Sequence, residues 1–404
     1  MTPFSYRCTD CGRTYARDEV RYLCPECGKG YHPGIPLLGV LEVVFDYEAI
    51  RRAFDRAQPD WNLFCPVETE FHPPLPVGNT PLGRVDRLGA ELGLPSLWVK
   101  NDGLNPSGSL KDRASFLVVA EARRLGMDLI VAASTGNAAS ALAAVCASAG
   151  LKALIFVPEK APKAKLVQMV LYGATVVPIQ GTYDDAFALS LDYTAQRGGL
   201  NRNTAYHPLT IEGKKTAGLE IWAQLGFQVP EAILVSVGDG VILGGVHKAF
   251  VDLQRAGLID HLPRLIGVQA ESSDSIHRYV QTGQYSDAAN PTTRADSISV
   301  TCPSNAHGAR RAILESAGLT LTVTDEQILS AQAQLAARTG IFTEPAGACA
   351  LAGLAKLQDG PGRLPASARI VIMATGHGLK DVEAPLSRIS IPPAIEPTLD
   401  AVPA

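Results

Sequence analysis

The sequence contains no uninterrupted run of about 18 apolar residues, which is the length that a membrane-spanning helix requires. Its first residues, Met1 to Cys8, lack the charged segment and the apolar core of a signal peptide. Positive charge is not in excess either, because 36 Lys and Arg residues stand against 40 Asp and Glu residues, for a net charge of −4. We therefore expect a cytoplasmic protein that binds neither a membrane nor a nucleic acid.

Short β-branched runs alternate with helical patterns along most of the chain. Its 404 residues are 46% hydrophobic and 19% charged, enough for two ordinary domains and a small appendage. Strand–helix alternation is typical of parallel sheets that are covered by helices on both faces. The pattern predicts an α/β fold with two doubly wound lobes, mostly parallel sheets and a cleft between the lobes. The predicted strands are 96–100, 128–133, 152–157, 174–179, 232–237, 264–269 and 369–374.

Four of the eight cysteines form two closely spaced pairs near the N-terminus. Cys8 and Cys11 make one C-x2-C pair, Cys24 and Cys27 make the other, and twelve residues separate the pairs. Such spacing lets four thiolates reach one tetrahedral ion and leaves no open coordination position. We therefore predict a structural Zn²⁺ site, with disulfides or a redox pair as the alternative. The remaining cysteines are expected in the core: Cys65, Cys146, Cys302 and Cys349.

One lysine, Lys111, lies between a loop that contains Gly and Ser and a predicted helix over residues 112–125. Strand ends and helix N-termini form the usual ligand crevice of an α/β fold. The positive end of the helix dipole favours a neutral amine, and this is the form that reacts with an aldehyde cofactor. A solvated lysine in the first turn of a helix is the alternative interpretation.

Three further loops follow predicted strands and carry residue types that suit a small ligand. Ser134, Thr135 and Asn137 offer hydroxyl groups and a helix N-terminus, which suit a carboxylate, although a plain helix cap is the alternative. The loop 237–245 is rich in glycine and can bind a phosphate through backbone amides. Its glycines do not have the spacing of a dinucleotide-binding loop. Thr375 follows the last predicted strand.

Together these motifs resemble those of the fold-type-II pyridoxal-phosphate enzymes, and in particular the threonine synthase branch with an N-terminal zinc ribbon. The resemblance extends over nearly the whole chain and includes the segments 105–113, 134–137, 212–216, 344–346 and 375–381. It implies a lyase of amino-acid metabolism that uses pyridoxal 5′-phosphate (PLP). It also implies a small amino acid as the substrate and a homodimer as the assembly.

The same resemblance implies roles for the residues of the site. Lys111 would be the catalytic lysine that holds PLP covalently. Asn137 would hydrogen-bond the phenolic oxygen of the cofactor and, with Ser134 and Thr135, would bind the substrate. Thr375 would face the pyridine nitrogen, and a hydroxyl group there suits elimination and replacement chemistry. The cofactor phosphate would lie on Gly238, Asp239, Gly240, Val241 and Ile242.

The sequence departs from that branch where the substrate phosphate would bind. The usual reaction of the branch converts O-phosphohomoserine and water to threonine and phosphate, and polar or cationic residues bind that phosphate. Uncharged residues stand at those positions here: Ala138, Thr204, Ala205 and Thr210. We therefore predict poor turnover of O-phosphohomoserine unless Lys214 or Arg202 replaces the lost partner. Asp239 stands where a neutral Asn is usual, and it suits a phosphate only if its carboxylate points away or caps its own helix.

Two alternative functions remain open. One is β-elimination or β-replacement on a threonine-, serine- or diaminopropionate-like amino acid, by an ammonia-lyase, a dehydratase or a synthase that adds a sulfonate or thiol. The other is a non-catalytic sensor of PLP or of amino acids, which the presence of the lysine and of all four loops disfavours. Three histidines could assist acid–base chemistry or be purely structural: His207, His247 and His377.

Composition and the positions of Pro-rich and Gly-rich stretches predict a division of the chain into five segments. The tail is rich in proline and is expected to be loosely ordered. The central part is expected to form a large PLP domain from two stretches of sequence and a small mobile domain from the stretch between them. The segments are a zinc ribbon (1–46), a linker (47–76), the large domain (77–115 and 225–386), the small domain (116–224) and the tail (387–404).

Overall fold

The computed structural model describes residues 2–159, 161, 163–386, 391–398 and 402, and all statements on structure refer to these residues. The strands are β1 (Phe4–Cys8), β2 (Thr14–Tyr15), β3 (Leu41–Phe45), β4 (Leu82–Arg84), β5 (Leu97–Asn101), β6 (Leu129–Ala133), β7 (Lys152–Pro158), β8 (Thr175–Ile179), β9 (Leu200–Asn201), β10 (Ala232–Ser236), β11 (Arg264–Ala270), β12 (Leu319–Val323) and β13 (Ile370–Ala374). The helices are α1 (Tyr47–Ala53), α2 (Asp86–Glu91), α3 (Lys111–Arg124), α4 (Asn137–Ala149), α5 (Lys163–Leu171), α6 (Tyr183–Arg197), α7 (Leu209–Gln224), α8 (Val241–Arg255), α9 (Ser275–Thr282), α10 (Ala306–Glu315), α11 (Asp325–Thr339), α12 (Pro345–Gln358) and α13 (Glu383–Leu386).

The N-terminal segment folds around a small antiparallel sheet with the strand order β2-β1-β3. Alternate residues of β3 are buried, because successive side chains of a strand point to opposite faces. α1 follows directly, and the carboxylate of Asp46 accepts the backbone N–H of Ala49 at 2.9 Å, which caps the helix. The predicted linker, residues 47–76, contains α1 and also a 3-10 helix at Thr69–Phe71.

The largest sheet has six strands in the order β12-β11-β10-β13-β5-β4. All neighbouring pairs are parallel except β4 and β5. A second sheet has the order β8-β7-β6-β9 and is parallel throughout. The prediction of an α/β fold with two mostly parallel sheets and a small N-terminal module is therefore confirmed. All seven predicted strands coincide with observed ones to within one residue at each end. In the two parallel sheets β4, β9 and β12 were not predicted, nor were the three strands of the N-terminal sheet.

Helices cover both parallel sheets, and buried apolar side chains fill the space between the layers. α7 can cross α3 closely because residue 213 is a glycine. A side chain there would collide with the backbone of Arg113. This contact fixes the start of α3, where Lys111 lies, against the helix that carries Lys214.

The ends of the predicted segments remain predictions. Of the tail, residues 391–398 and 402 are exposed and form neither helix nor strand, while 387–390, 399–401 and 403–404 lie outside the described residues. Among the described helices, none is both long enough and apolar enough to cross a membrane.

Candidate active site

A cavity of about 510 Å³ lies where strands of the two parallel sheets end and α3, α4 and α8 begin. This is the expected place for a ligand in an α/β fold. The cavity brings together every residue that was predicted to bind the cofactor or the substrate. These residues are Lys111, Ser134, Thr135, Asn137, Gly238, Asp239, Gly240, Val241, Ile242 and Thr375.

Lys111 is the first residue of α3, and no hydrogen bond or ion pair joins its ammonium group to another described residue. Burial lowers the pKa of Lys111, although the carboxylates of Glu344 and Asp239 oppose the shift. A lysine with a lowered pKa has a larger neutral fraction, and the neutral amine is the nucleophile that an aldehyde cofactor needs.

The loop before α8 can hold a phosphate through its backbone. Gly240 has φ +81°, and a Cβ there would lie 2.7 Å from the Cβ of Ala309, so a side chain cannot be placed. The free N–H groups of the first turn of α8 face the same cavity. The carboxylate of Asp239 accepts the backbone N–H and the hydroxyl of Ser304, both at 3.2 Å. The carboxylate of Asp239 is thus held by a neighbouring loop.

A buried carboxylate, Glu344, holds the side chain of Asn137. The amide nitrogen of Asn137 donates to the two carboxylate oxygens of Glu344 at 2.8 and 3.0 Å and to the hydroxyl of Ser297 at 3.2 Å. Burial raises the pKa of Glu344, and nearby Lys111 opposes this shift. This role of Glu344 could not be predicted from the sequence, because 207 residues separate Glu344 from Asn137.

Two cations, Arg202 and Lys214, also line the cavity. Arg202 is buried and donates from Nε to Ser115 at 3.1 Å, while its Nη2 has no partner among the described residues. Lys214 donates to the hydroxyl of Thr204 at 2.8 Å. Burial lowers the pKa of Arg202 to about 10 and also lowers that of Lys214, so both side chains would gain from a bound anion.

Four uncharged residues stand where the related enzymes bind the substrate phosphate, and only two of the four line the cavity. Ala138 and Thr204 line the cavity, but Ala205 and Thr210 do not. The hydroxyl of Thr210 instead donates to the carbonyl of His207 at 2.8 Å and accepts the N–H of Ala205 at 2.9 Å. The hydroxyl of Thr210 is therefore occupied by contacts within its own segment.

The predicted helper histidines lie elsewhere. None of the three lines the cavity, and His207 is buried with its pKa lowered to about 3 by burial, so it stays neutral. The nitrogen Nδ1 of His377 accepts the N–H of Leu379 at 3.1 Å at the start of a 3-10 helix. The expectation that the remaining cysteines are core residues holds for Cys146 and Cys349 but not for the half-buried Cys65 and Cys302. Cys302 lines the cavity.

The four N-terminal cysteines form one cluster. All four sulfur atoms lie within 4.8 Å of one another, and the sulfurs of Cys11 and Cys24 are 3.9 Å apart. Bonds of about 2.3 Å from a tetrahedral ion place sulfurs about 3.8 Å apart, whereas a disulfide needs about 2.0 Å. The cysteines are free thiols, so the cluster is compatible with metal binding and not with disulfides. The cluster consists of Cys8, Cys11, Cys24 and Cys27.

Comparison with known proteins agrees with this geometry. The family model for pyridoxal-phosphate dependent enzymes matches residues 74–376. The chain belongs to this family. Threonine synthase of Methanosarcina acetivorans is 36% identical over 411 residues, covering 99% of this chain and 98% of that protein. Threonine synthase of Methanocaldococcus jannaschii is 38% identical over 402 residues, covering 96% of each chain.

A solved structure shares the fold of this PLP enzyme. The processed form of threonine deaminase isoform 2 from Solanum lycopersicum superposes with a TM-score of 0.67 at 24% identity, covering 77% of this chain and 87% of that one. The resemblance to the threonine synthase branch is thus confirmed, and the chain is a PLP-dependent enzyme of the lyase type. The residues present fit the cofactor: a half-buried lysine without a hydrogen-bonding partner among the described residues, a glycine loop at a helix N-terminus, and a threonine at the strand end.

Proposed function

We propose that this enzyme converts O-phosphohomoserine and water to threonine and phosphate. The observation that carries the proposal is the pair of buried cations, Arg202 and Lys214, in the cavity that contains Lys111. No carboxylate among the described residues forms an ion pair with either cation. A buried cation without an anion is costly, and a phosphate dianion would remove this cost.

The cations are available for a second phosphate, beyond that of the cofactor. The loop 238–242 offers backbone N–H groups to the cofactor phosphate without any cationic side chain. Arg202 and Lys214 then remain for the phosphate of the substrate. Arg202 and Lys214 are the residues that the sequence offered as replacements for the missing phosphate partners, and for this reason we favour O-phosphohomoserine over the substrates of the elimination hypothesis.

The other residues of the cavity would divide the remaining tasks. Bound PLP supplies the electron sink that makes protons next to the amino group removable. The amine of Lys111 would take up and return those protons. Ser134, Thr135 and the N-terminus of α4 would bind the substrate carboxylate, while Glu344 keeps the amide of Asn137 in one orientation. The hydroxyl of Thr375 would face the ring nitrogen of the cofactor.

A substrate panel tests this proposal. The purified enzyme would be offered O-phosphohomoserine, O-phosphoserine, threonine, serine and diaminopropionate, with inorganic phosphate, keto acid and ammonia as readouts. We expect phosphate and threonine from O-phosphohomoserine, with little keto acid or ammonia from any substrate. Release of ammonia and keto acid from threonine or serine without use of O-phosphohomoserine would instead support the elimination hypothesis.

Removal of either cation should weaken use of the phosphorylated substrate. We expect Arg202→Gln and Lys214→Gln each to lower kcat/KM for O-phosphohomoserine by about 10- to 100-fold, the value of one charge-assisted hydrogen bond. Steady-state phosphate release would measure this effect. Lys152→Gln is the matched control, since its ammonium group is exposed and pairs with Asp128 at 3.2 Å. Unchanged kcat/KM in both cavity variants would contradict the assignment.

We further propose that the cysteine cluster holds one structural Zn²⁺ per chain. Four thiolates leave no coordination position for a substrate, so the ion would stabilise the N-terminal segment. We expect Cys8→Ser to lose zinc and to lower the thermal midpoint, measured by metal analysis and thermal unfolding. Serine at Cys65, which is outside the cluster, should leave the zinc content unchanged. Full zinc content in Cys8→Ser would refute the site.

We also propose that the enzyme is a homodimer. Four apolar side chains on adjoining loops are exposed: Leu104, Phe342, Leu379 and Val382. The loops adjoin because Gly103 lies against the backbone of Gly376 and His377, and Gly378 lies against Phe342. A second copy would cover such a patch. Light scattering should give twice the mass of the chain, and Leu379→Asp should shift it towards the monomer.

A further inference from the structure

We propose that the N-terminal ribbon, residues 1–46 with its cysteine cluster, is a working part of the active site. In this proposal residues 31–37 form a substrate-facing wall, and the ribbon holds the Arg202–Thr204 segment in position to bind the substrate phosphate. The inference rests on the proposed function, because the substrate placed in the cavity is the ligand that the wall would contact.

The wall is formed by the segment that follows the second cysteine pair. Tyr31, Ile35 and Leu37 line the same cavity as Lys111, Arg202 and Lys214. Leu37 is buried and packs in one apolar cluster with Val40, Ala205 and Val241. The ribbon is therefore continuous with both sides of the cavity, the segment before α7 and the first residue of α8.

A second set of contacts joins the ribbon to the segment that carries Arg202. The ring of Tyr22 stacks on that of Tyr206, with 4.6 Å between ring centres. The hydroxyl of Tyr22 accepts the backbone N–H of Asn201 at 2.9 Å. These contacts lie on either side of Arg202, and Tyr22 is only two residues from Cys24 in the metal cluster.

The segment between these contacts has a strained backbone. Ala205 has φ +61°, a left-handed conformation that a residue with a side chain rarely adopts. Such a conformation persists only where surrounding contacts determine it, and several of the contacts around Ala205 come from the ribbon. Loss of these contacts would let the segment relax, and Arg202 and Thr204 would move away from the cavity.

The ribbon also contacts the cofactor side of the cavity. The N–H of Leu37 donates to the carbonyl of Ser304 at 3.0 Å. The same Ser304 binds the carboxylate of Asp239 in the glycine loop. A change in the ribbon should therefore alter the positions of the residues that bind the cofactor phosphate and the substrate phosphate, in addition to lowering the stability of the fold.

Two single substitutions in the holoenzyme test the wall without touching the metal ligands. Tyr22→Phe keeps the ring but removes the hydroxyl that accepts the Asn201 amide, and we expect KM for O-phosphohomoserine to rise about 3- to 10-fold with kcat nearly unchanged. Ile35→Asp places a negative charge on the wall, and its KM should exceed that of the uncharged Ile35→Asn by roughly 10-fold. Both variants should keep the zinc and cofactor content of the wild type.

Direct binding of inorganic phosphate to the holoenzyme, measured by calorimetry, gives a second readout that does not depend on turnover. We expect weaker binding in Tyr22→Phe and Ile35→Asp, and also in Cys27→Ser, which loses the ion but keeps the cofactor on Lys111. Lys29→Ala is the control within the ribbon, because its side chain is 71% exposed and pairs only with Glu26 among the described residues.

The outcomes separate this inference from the proposed function. If the wild type does not use O-phosphohomoserine, the proposed function fails, and the KM of Tyr22→Phe for the amino acid that is accepted still tests the wall. If the wild type uses O-phosphohomoserine but the KM and phosphate affinity of Tyr22→Phe and Ile35→Asp match those of Lys29→Ala, the wall is refuted alone. A purely structural ribbon would lower stability in Cys27→Ser without weakening phosphate binding by the folded enzyme.

Discussion

Replacement of Lys111 by alanine is expected to abolish turnover, with a loss of at least about 10³-fold in kcat for the physiological substrate. We propose that this residue provides both the covalent attachment point for the cofactor and the amine that moves protons at the substrate. Its burial lowers its pKa, and no described residue competes for its lone pair. The fold should survive, because α3 begins at this residue and its remaining contacts are untouched.

Chemical trapping makes the assignment of Lys111 specific. Borohydride reduction of the purified enzyme should fix the cofactor on the peptide that contains Lys111, as peptide mapping would show. Lys214 is the competing amine in the same cavity, so Lys214→Gln should still be labelled on Lys111. Cofactor found on the Lys214 peptide of the wild type, or normal turnover by Lys111→Ala, would refute the role of Lys111.

The second large effect concerns stability. Arg113 is fully buried, and its guanidinium group binds two carboxylates: Nε donates to Asp102 at 2.7 Å and Nη1 donates to Glu220 at 2.6 Å. Lys100 donates to Glu220 at 2.6 Å, so two cations balance two anions in this network. Arg113→Met would leave both carboxylates with one cation. We expect the free energy of unfolding to fall by about 3–5 kcal/mol, measured by denaturant titration.

The pH dependence of stability provides an independent check on the same network. Burial alone would raise the pKa of Glu220. The cations of Arg113 and Lys100 outweigh this effect and lower the pKa to about 2 in the folded state. The unfolded value is about 4.3, so the stabilisation is fully present above that pH and is lost as the pH falls towards the folded pKa. We expect this acid-sensitive part of the stability to shrink in Arg113→Met. Arg84→Met is the control, because its pair with Asp86 is exposed and should contribute less than about 1 kcal/mol.

Much of the fold could be predicted because its signals are local. Each of the seven predicted strands is a short apolar run followed by a loop and a helix, and such a pattern needs no knowledge of distant residues. Strands β4, β9 and β12 were missed for the same reason. β9 has two residues and β4 has three, and β12 alternates Leu with Thr at the edge of its sheet, so none forms a continuous apolar run.

Some features of the candidate site could also be predicted from the sequence, and others could not. Lys111 and the loop 238–242 follow β5 and β10 of the same sheet, and parallel strands bring such strand–helix junctions to one edge of a sheet. Their meeting in one cavity could therefore be predicted. The segment 134–137 follows β6 of the other sheet, and only the resemblance to the family placed it with them. The partnership of Glu344 with Asn137 could not, because it depends on how α12 packs against the start of α4.

By itself, the sequence determined the alternation of strands and helices, the cysteine cluster and the loops around Lys111, because residue spacing along one segment controls all three. Only the tertiary structure decided which charged side chains line the cavity. On α7, Lys214 faces the cavity, whereas the adjacent Lys215 turns away and pairs with Glu212 and Asp252 in the core. Successive residues of a helix point about 100° apart, so the packing of α7 between α3 and α8 selects which lysine meets a substrate.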